Sequence, residues 1–209
     1  DTVDFVKMDV QGGELAILQG GEKFFKKNII GLEVEVEFAP VYINQPLFSD
    51  VDIFAREILG LELWDIRKAY WKYKQKKYKT PLKGRLIFGD ALYLRPISTL
   101  DGWLATMDKE VASKKIHALV NTTMVYGFLD YASAIVNTSF SKDYLDKKER
   151  ESIIKCIDKA SNGFYPFKNG SRILHRVFHV LTHSFKPTYE GWANGDPHIG
   201  SKKKSFFWF

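Results

Sequence analysis

The sequence predicts an α/β protein: an open, partly parallel sheet in the first half, followed by a mostly helical extension. Three observations carry that expectation. Short β-branched runs alternate with helical patterns over residues 1–66. Two strand-like segments then follow one another, separated by a basic stretch. After Pro96 the pattern changes to the 3.6-residue period of helices.

The first element, "VDFVKMDV", is rich in β-branched and aromatic residues and is bounded by glycine, which predicts a strand. Residues 13–26 place Leu15, Leu18, Phe24 and Phe25 near one face and predict a helix. "IIGLEVEVEF" is a second strand, closed by Pro40, which has no N–H to give a ladder. Ser49 or Asp50 caps an expected helix through "VDIFAREIL", ended by Gly60. "LELWDI" and "RLIFGDALYLR" are the next two strands, expected as a hairpin with one strand antiparallel at the sheet's edge.

The second half is expected to be helical. "TTMVYGFLDYASAIV" has apolar residues at 124, 125, 128, 129, 132, 135 and 136, the period of one helix. Ser141 is a cap for a helix through about Lys159, and Ser171 for another through Phe185. The tail, with Pro187, Gly191, Gly195, Pro197 and Gly200, reads as a loop. Two units are therefore expected, 1–98 and 99–209.

Composition narrows the class. The chain has 209 residues, 45% hydrophobic and 27% charged, which suits a globular protein with a sizeable core. Cys156 is the only cysteine, so no internal disulfide forms, and a reducing, cytoplasmic setting is the simplest expectation. No apolar run reaches the roughly 20 residues that span a bilayer, and the N-terminus has no signal-peptide pattern. The net charge of +6 is a mild hint of an anionic partner. Because a strand begins almost at Asp1, the chain reads as a fragment of a longer one.

The candidate site follows from the first two strands. In open α/β sheets ligands bind beyond the carboxyl ends of the parallel strands, where Asp9 and Glu37 both fall. Gly12 and Gly13 allow a tight turn, and Glu14 complements the helix that follows. A plain capping role for Asp9 and Glu14 fits the same pattern. "LEVEVEF" sets Glu33, Glu35 and Glu37 on one face, where carboxylates are costly unless solvated, paired or functional. Lys7 shares a face with Asp9 and is expected to neutralise Glu35; an exposed sheet face accounts for Glu33.

"VDFVKMDVQGGELAILQGG", "IIGLEVEVEFAPVYINQPLFSDVDIF", "LELWDIRKAYWK" and "GRLIFGDALYLR", over about residues 3–95, resemble FkbM-type, S-adenosylmethionine-dependent methyltransferases. The resemblance implies the second half of a Rossmann-like methyltransferase sheet, strands four to seven. It also implies methyl transfer to a hydroxyl of a sugar, polyketide or similar metabolite. The glycine-rich half that holds the cofactor is absent from these residues. No cofactor contacts can therefore be assigned, and the fragment alone is expected to be inactive. By the same resemblance Asp9 is the acceptor-orienting group or general base, with Glu37 the alternative base. Glu14 matches the glutamate of the family's GxE turn, where it positions the loop or the acceptor. Tyr42 and Gln45 lie on a loop over the crevice as substrate contacts, and Asp90 is a weaker substrate contact or a satisfier of hairpin backbone. Asp9, Glu14 and Glu37 have the chemistry for magnesium or calcium, but no metal is assigned.

The remaining features have plainer explanations. Residues 67–85 hold nine basic and no acidic side chains among four aromatics. They suit a solvated loop or, in the rival reading, a non-catalytic module that binds an anionic polymer, nucleic acid or glycan. The expected partner is a small-molecule or glycan acceptor, with nucleic acid disfavoured and the oligomeric state open. His175, His179 and His183 form a basic helical stripe, Cys156 a packed thiol, and "KKKSFFWF" a tail of undecided role.

Overall fold

A computed structural model describes residues 3–73, 84–161 and 193–195. In chain order the elements are β1 (Phe5–Met8), α1 (Glu14–Gly20), α2 (Glu22–Asn28), β2 (Gly31–Glu37) and α3 (Phe48–Ile53), which runs on as a π-helical turn over Phe54–Ile58. Strands β3 (Glu62–Trp71) and β4 (Arg85–Leu94) follow. Then come α4 (Ile97–Leu104), α5 (Lys109–Val125), α6 (Leu129–Asn137), α7 (Ser141–Tyr144), α8 (Lys147–Ser161) and β5 (Ala193–Gly195). The class is α/β.

The sheet order is β1-β2-β4-β3-β5. β1 and β2 are parallel, with Lys7 opposite Glu33; β4 is antiparallel to both β2 and β3. β3 and β4 form the expected antiparallel hairpin on the side of the sheet beyond β2, and the short β5, antiparallel to β3, takes the outermost position there. β4 inserts between β2 and β3 because its "FGDALYL" is apolar and buried, whereas β3 carries Asp65, Arg67 and Lys68, which suit an outer strand. β5 pairs with Ala69–Trp71, so this part of the tail expected as loop joins the sheet.

The two sheet faces build two cores. Leu32, Val34, Val36, Ala91 and Tyr93 pack against Leu18, Phe25, Val51, Ala55 and Leu59 of α1–α3 and the π turn. On the opposite face Leu92 and Leu94 pack with Leu100, Leu104, Ile116, Leu119, Ile135 and Ile157 of α4–α8. Each fully buried Val, Leu, Ile or Phe side chain among them contributes roughly 1.5–3 kcal/mol of transfer free energy. The helical half thus covers only one end of that face, the end holding Gly31 and Leu94. Two buried cations fasten it there. Lys115 reaches Asp4 Oδ1 (2.6 Å) and the carbonyls of Val3 and Asn28. The Arg95 guanidinium donates to the Ile29 and Lys26 carbonyls and lies over the Trp103 ring.

Several helices differ from the sequence expectation. The 13–26 pattern breaks at Gly21 into α1 and α2, and the rotation leaves Phe24 half exposed while Phe25 is buried. The cap of α3 is not Ser49: Asp50, in the first turn, accepts the Leu47 N–H (2.8 Å). The 124–136 pattern is divided between α5 and α6, because Gly127 takes φ 89° and turns the chain. Beyond Ser141 a single turn, α7, stops before Asp146; the Asp146 and Glu149 carboxylates then each accept the other's backbone N–H, a capping box that opens α8. The helix expected from Ser171 and the His175, His179 and His183 stripe lie outside the described residues.

Candidate functional site

β1 ends at Met8 and delivers Asp9 to the carboxyl end of the sheet. The chain then turns sharply, with φ 58° at Gln11 and 102° at Gly12. A left-handed conformation costs a non-glycine residue roughly 1–2 kcal/mol. What closes the turn is Glu14, only 2% exposed, whose two oxygens accept the N–H groups of Val10 and Gly12 at 2.8 Å each. The φ of 102° is what favours glycine at position 12; a Cβ there would also stand 2.9 Å from Gln45 Nε2, the end of a flexible side chain that would have to shift. Both Glu14 oxygens are thereby engaged by the turn.

β2 supplies the three glutamates, all buried, with different surroundings. Glu33 is ion-paired to Lys7 and accepts the Tyr126 hydroxyl. Burial alone would raise its pKa, but these two partners outweigh it and hold the group below its ordinary value. Lys7 therefore neutralises Glu33 and not Glu35, because the parallel register sets Lys7 opposite Glu33. Nor does Glu33 lie on an exposed face.

Glu35 and Glu37 have no cationic partner among the described residues. Burial pushes Glu35 up to about 7, with the charges of Asp9, Glu37, Asp90 and Glu14 adding to it. Burial and the Glu14 charge likewise push Glu37 up to about 7. The Gln45 amide faces Glu37 and pulls it partly back, without a hydrogen bond of ordinary geometry; its Nε2 is buried and has no hydrogen-bond partner.

The loop after β2 folds over this end. Gln45 Oε1 accepts the N–H groups of Val41 and Tyr42 at 3.1 Å each. The Tyr42 hydroxyl donates to Gln11 Oε1 (3.1 Å), and Gln11 Nε2 donates to Asp9 Oδ1 (3.0 Å) and Glu35 Oε2 (2.9 Å). Asp9 itself is solvent-exposed. Asp9, Glu14, Glu37, Tyr42 and Gln45 thus surround one turn.

Asp90 stands apart from them. It lies mid-strand opposite Glu35, where it accepts two Arg67 donors and has Lys7 at 3.8 Å. Its carboxylate satisfies an ion pair and not hairpin backbone. Sequence reasoning passed over Gln11 and Tyr126. An amide between an aspartate and two glycines was a readable signal for Gln11. Tyr126 gave none, since it reaches Glu33 from 93 residues away.

Among the described residues no group of three or more His, Cys, Asp or Glu is placed to hold a metal ion. Glu14, engaged by two backbone N–H groups, is a poor ligand. The cavity of about 590 Å³ between α5 and α8 is lined by His117, Met124, Glu149, Ser152 and Cys156 and does not include Asp9, Glu14, Glu35 or Glu37. Cys156 is exposed and not packed, because its helix turns Ile157 inward instead. Of the basic stretch, 67–71 belongs to β3, with Arg67 ion-paired and Trp71 edge-on to Phe88. Residues 74–83 and "KKKSFFWF" lie outside the described residues. Among those described, no helix is long and apolar enough to cross a membrane.

With a parallel β1–β2 pair, a glycine turn closed by a glutamate, and carboxylates at both strand ends, comparison with known families becomes informative. Residues 1–58 match the family model of the methyltransferase FkbM domain. The FkbM match covers β1 to the π-helical turn, and therefore Asp9, Glu14, Glu37, Tyr42 and Gln45; Asp90 and the helical half lie beyond it. No curated protein and no solved structure matches the chain. The FkbM domain points to a methyltransferase, in a family that generally depends on S-adenosylmethionine. The described residues do not by themselves form a cradle for that cofactor. Glu14, Glu35 and Glu37 are buried, and the Gln45 amide packs directly against Gly12.

Proposed function

We propose that this chain supplies the acceptor side of an S-adenosylmethionine-dependent O-methyltransferase acting on a hydroxyl of a sugar, polyketide or similar metabolite. The observation that carries the reading is the pair Asp9 and Glu37 at the carboxyl ends of adjacent parallel strands, inside the FkbM match. S-adenosylmethionine would supply the methyl group, held by residues other than those described.

Methyl transfer to oxygen needs the hydroxyl aligned and its proton removed. Asp9, exposed and tied through one oxygen to Gln11, accepts a hydrogen bond from the acceptor hydroxyl and so orients its lone pair. Glu37, near 7, is poised to take the proton, since a base is most effective when its pKa lies near the working pH. The buried Gln45 amide faces Glu37 and favours its charged, proton-accepting form. Tyr42 and the exposed Ile43 form a rim for the rest of the acceptor. Asp90, held by Arg67, sets the electrostatics from the next strand.

The test uses the full-length protein: S-adenosylmethionine binding by calorimetry and transfer of a labelled methyl group to hydroxyl acceptors, for wild type, Asp9→Asn and Glu37→Gln. Wild type is expected to bind and transfer. Both variants are expected to keep binding and to lose transfer by roughly 10²-fold or more. Folded wild-type protein that binds no S-adenosylmethionine would overturn the reading.

A further inference from the structure

We propose that Gln11 is the positioning residue of the crevice: its amide clamps Asp9 and Glu35, delivered by two different strands, into one hydrogen-bonded unit and couples it through Tyr42 to the 41–47 loop. Its role in a reaction rests on the methyl-transfer reading above; the clamp itself does not.

Gln11 holds a left-handed backbone that glycine or asparagine would adopt more easily, so the choice of glutamine is explained by its side chain. Both amide hydrogens are used, one on Asp9 Oδ1 at 3.0 Å and one on Glu35 Oε2 at 2.9 Å. The amide oxygen accepts the Tyr42 hydroxyl at 3.1 Å. A flipped amide would set its oxygen against two carboxylates, so the network allows one orientation only. Asp9 makes no other side-chain hydrogen bond among the described residues, which leaves its second oxygen to the crevice.

The clamp works against repulsion. Around Glu35 stand Asp9 beyond β1, Glu37 on the same strand, Asp90 on β4 and Glu14 on α1. The nearby cations are engaged elsewhere, Lys7 with Glu33 and Arg67 with Asp90. Two neutral N–H donors are thus what hold these like-charged groups together, and they do so without removing the negative charge that an acceptor hydroxyl must meet. Because the third bond goes to Tyr42, movement of the loop and placement of Asp9 are linked.

Gln11→Gly removes the amide while relaxing the backbone, and Gln11→Met keeps the length without donors. Carbon-13 carboxyl titration by NMR of the full-length protein reads Glu35 directly. In both variants the Glu35 midpoint is expected to rise from near 7 by about half a unit or more, with a smaller rise for Tyr42→Phe. The methyl-transfer kcat is expected to fall about 10-fold, and the acid limb of its pH profile to move. A Glu35 midpoint within about 0.2 unit of wild type in both variants would overturn the clamp. A moved Glu35 with an unchanged kcat and pH profile would overturn the positioning role. Wild type without methyl transfer would overturn that role through the reaction, while Glu35 still reports on the clamp.

Discussion

Glu33 and Glu37 lie on the same face of one strand, both nearly inaccessible, and their chemistry differs because of what covers each end. At the Glu33 end the helical half closes over the sheet, Tyr126 donates its hydroxyl, and Lys7 completes an ion pair. At the Glu37 end the partners are carboxylates and an amide, and the group is pushed up to about 7. Glu35, between them, has Gln11 in place of a cation and shares the fate of Glu37. A buried carboxylate is thus ion-paired and held charged where Lys7 and Tyr126 meet it, and pushed toward its neutral form where its neighbours are other carboxylates.

The contrast can be broken from either side. The largest effect is expected for Glu14→Ala, which leaves the Val10 and Gly12 N–H groups without acceptors and loosens the turn that carries Asp9. A loss of about 3 kcal/mol is expected, read by chemical denaturation. Lys7→Met should then make Glu33 resemble its neighbours. Its pKa should rise well above the carboxylate range, with a loss of about 1–2 kcal/mol, since the Lys7 side chain is itself half exposed.

The two raised glutamates also set a pH dependence. Glu35 and Glu37 titrate near 7 when folded and near 4.5 when unfolded, so between these values the folded protein holds protons that the unfolded chain has lost. Their contribution is full below about 4.5, declines as pH rises to 7 and is absent above it. Each should contribute roughly 1–2 kcal/mol after solvent screening, visible as a higher Tm at pH 5.5 than at pH 8. Glu37→Gln should remove about half of that difference. Smallest of all, Tyr126→Phe should cost about 1 kcal/mol and raise the Glu33 pKa without moving Glu37.

Much of this was legible in the sequence because it is local. Strand alternation in "LEVEVEF", the glycine turn and the glutamate that closes it all lie within a few residues of one another, and each follows from period or φ. β1, β2 and β4 lie where the sequence places strands, while β3 runs on past "LELWDI" to Trp71. What failed was long-range. The pairing of Lys7 with Glu33 depends on the register between two strands, and the pairing of β5 with β3 joins segments far apart in the chain. The helical half read as continuous helices because apolar period passes smoothly through Tyr126–Phe128, where Gly127 alone signals the turn. Tyr126 could reach Glu33 only after that turn was made.

The most direct test of the account is a carboxyl titration of Glu33, Glu35 and Glu37 in the wild-type protein by carbon-13 NMR. The account expects Glu33 below its ordinary value of 4.5 and the other two near 7. Three midpoints together near 4.5 would contradict it, because the crevice end would then differ in nothing from the closed end.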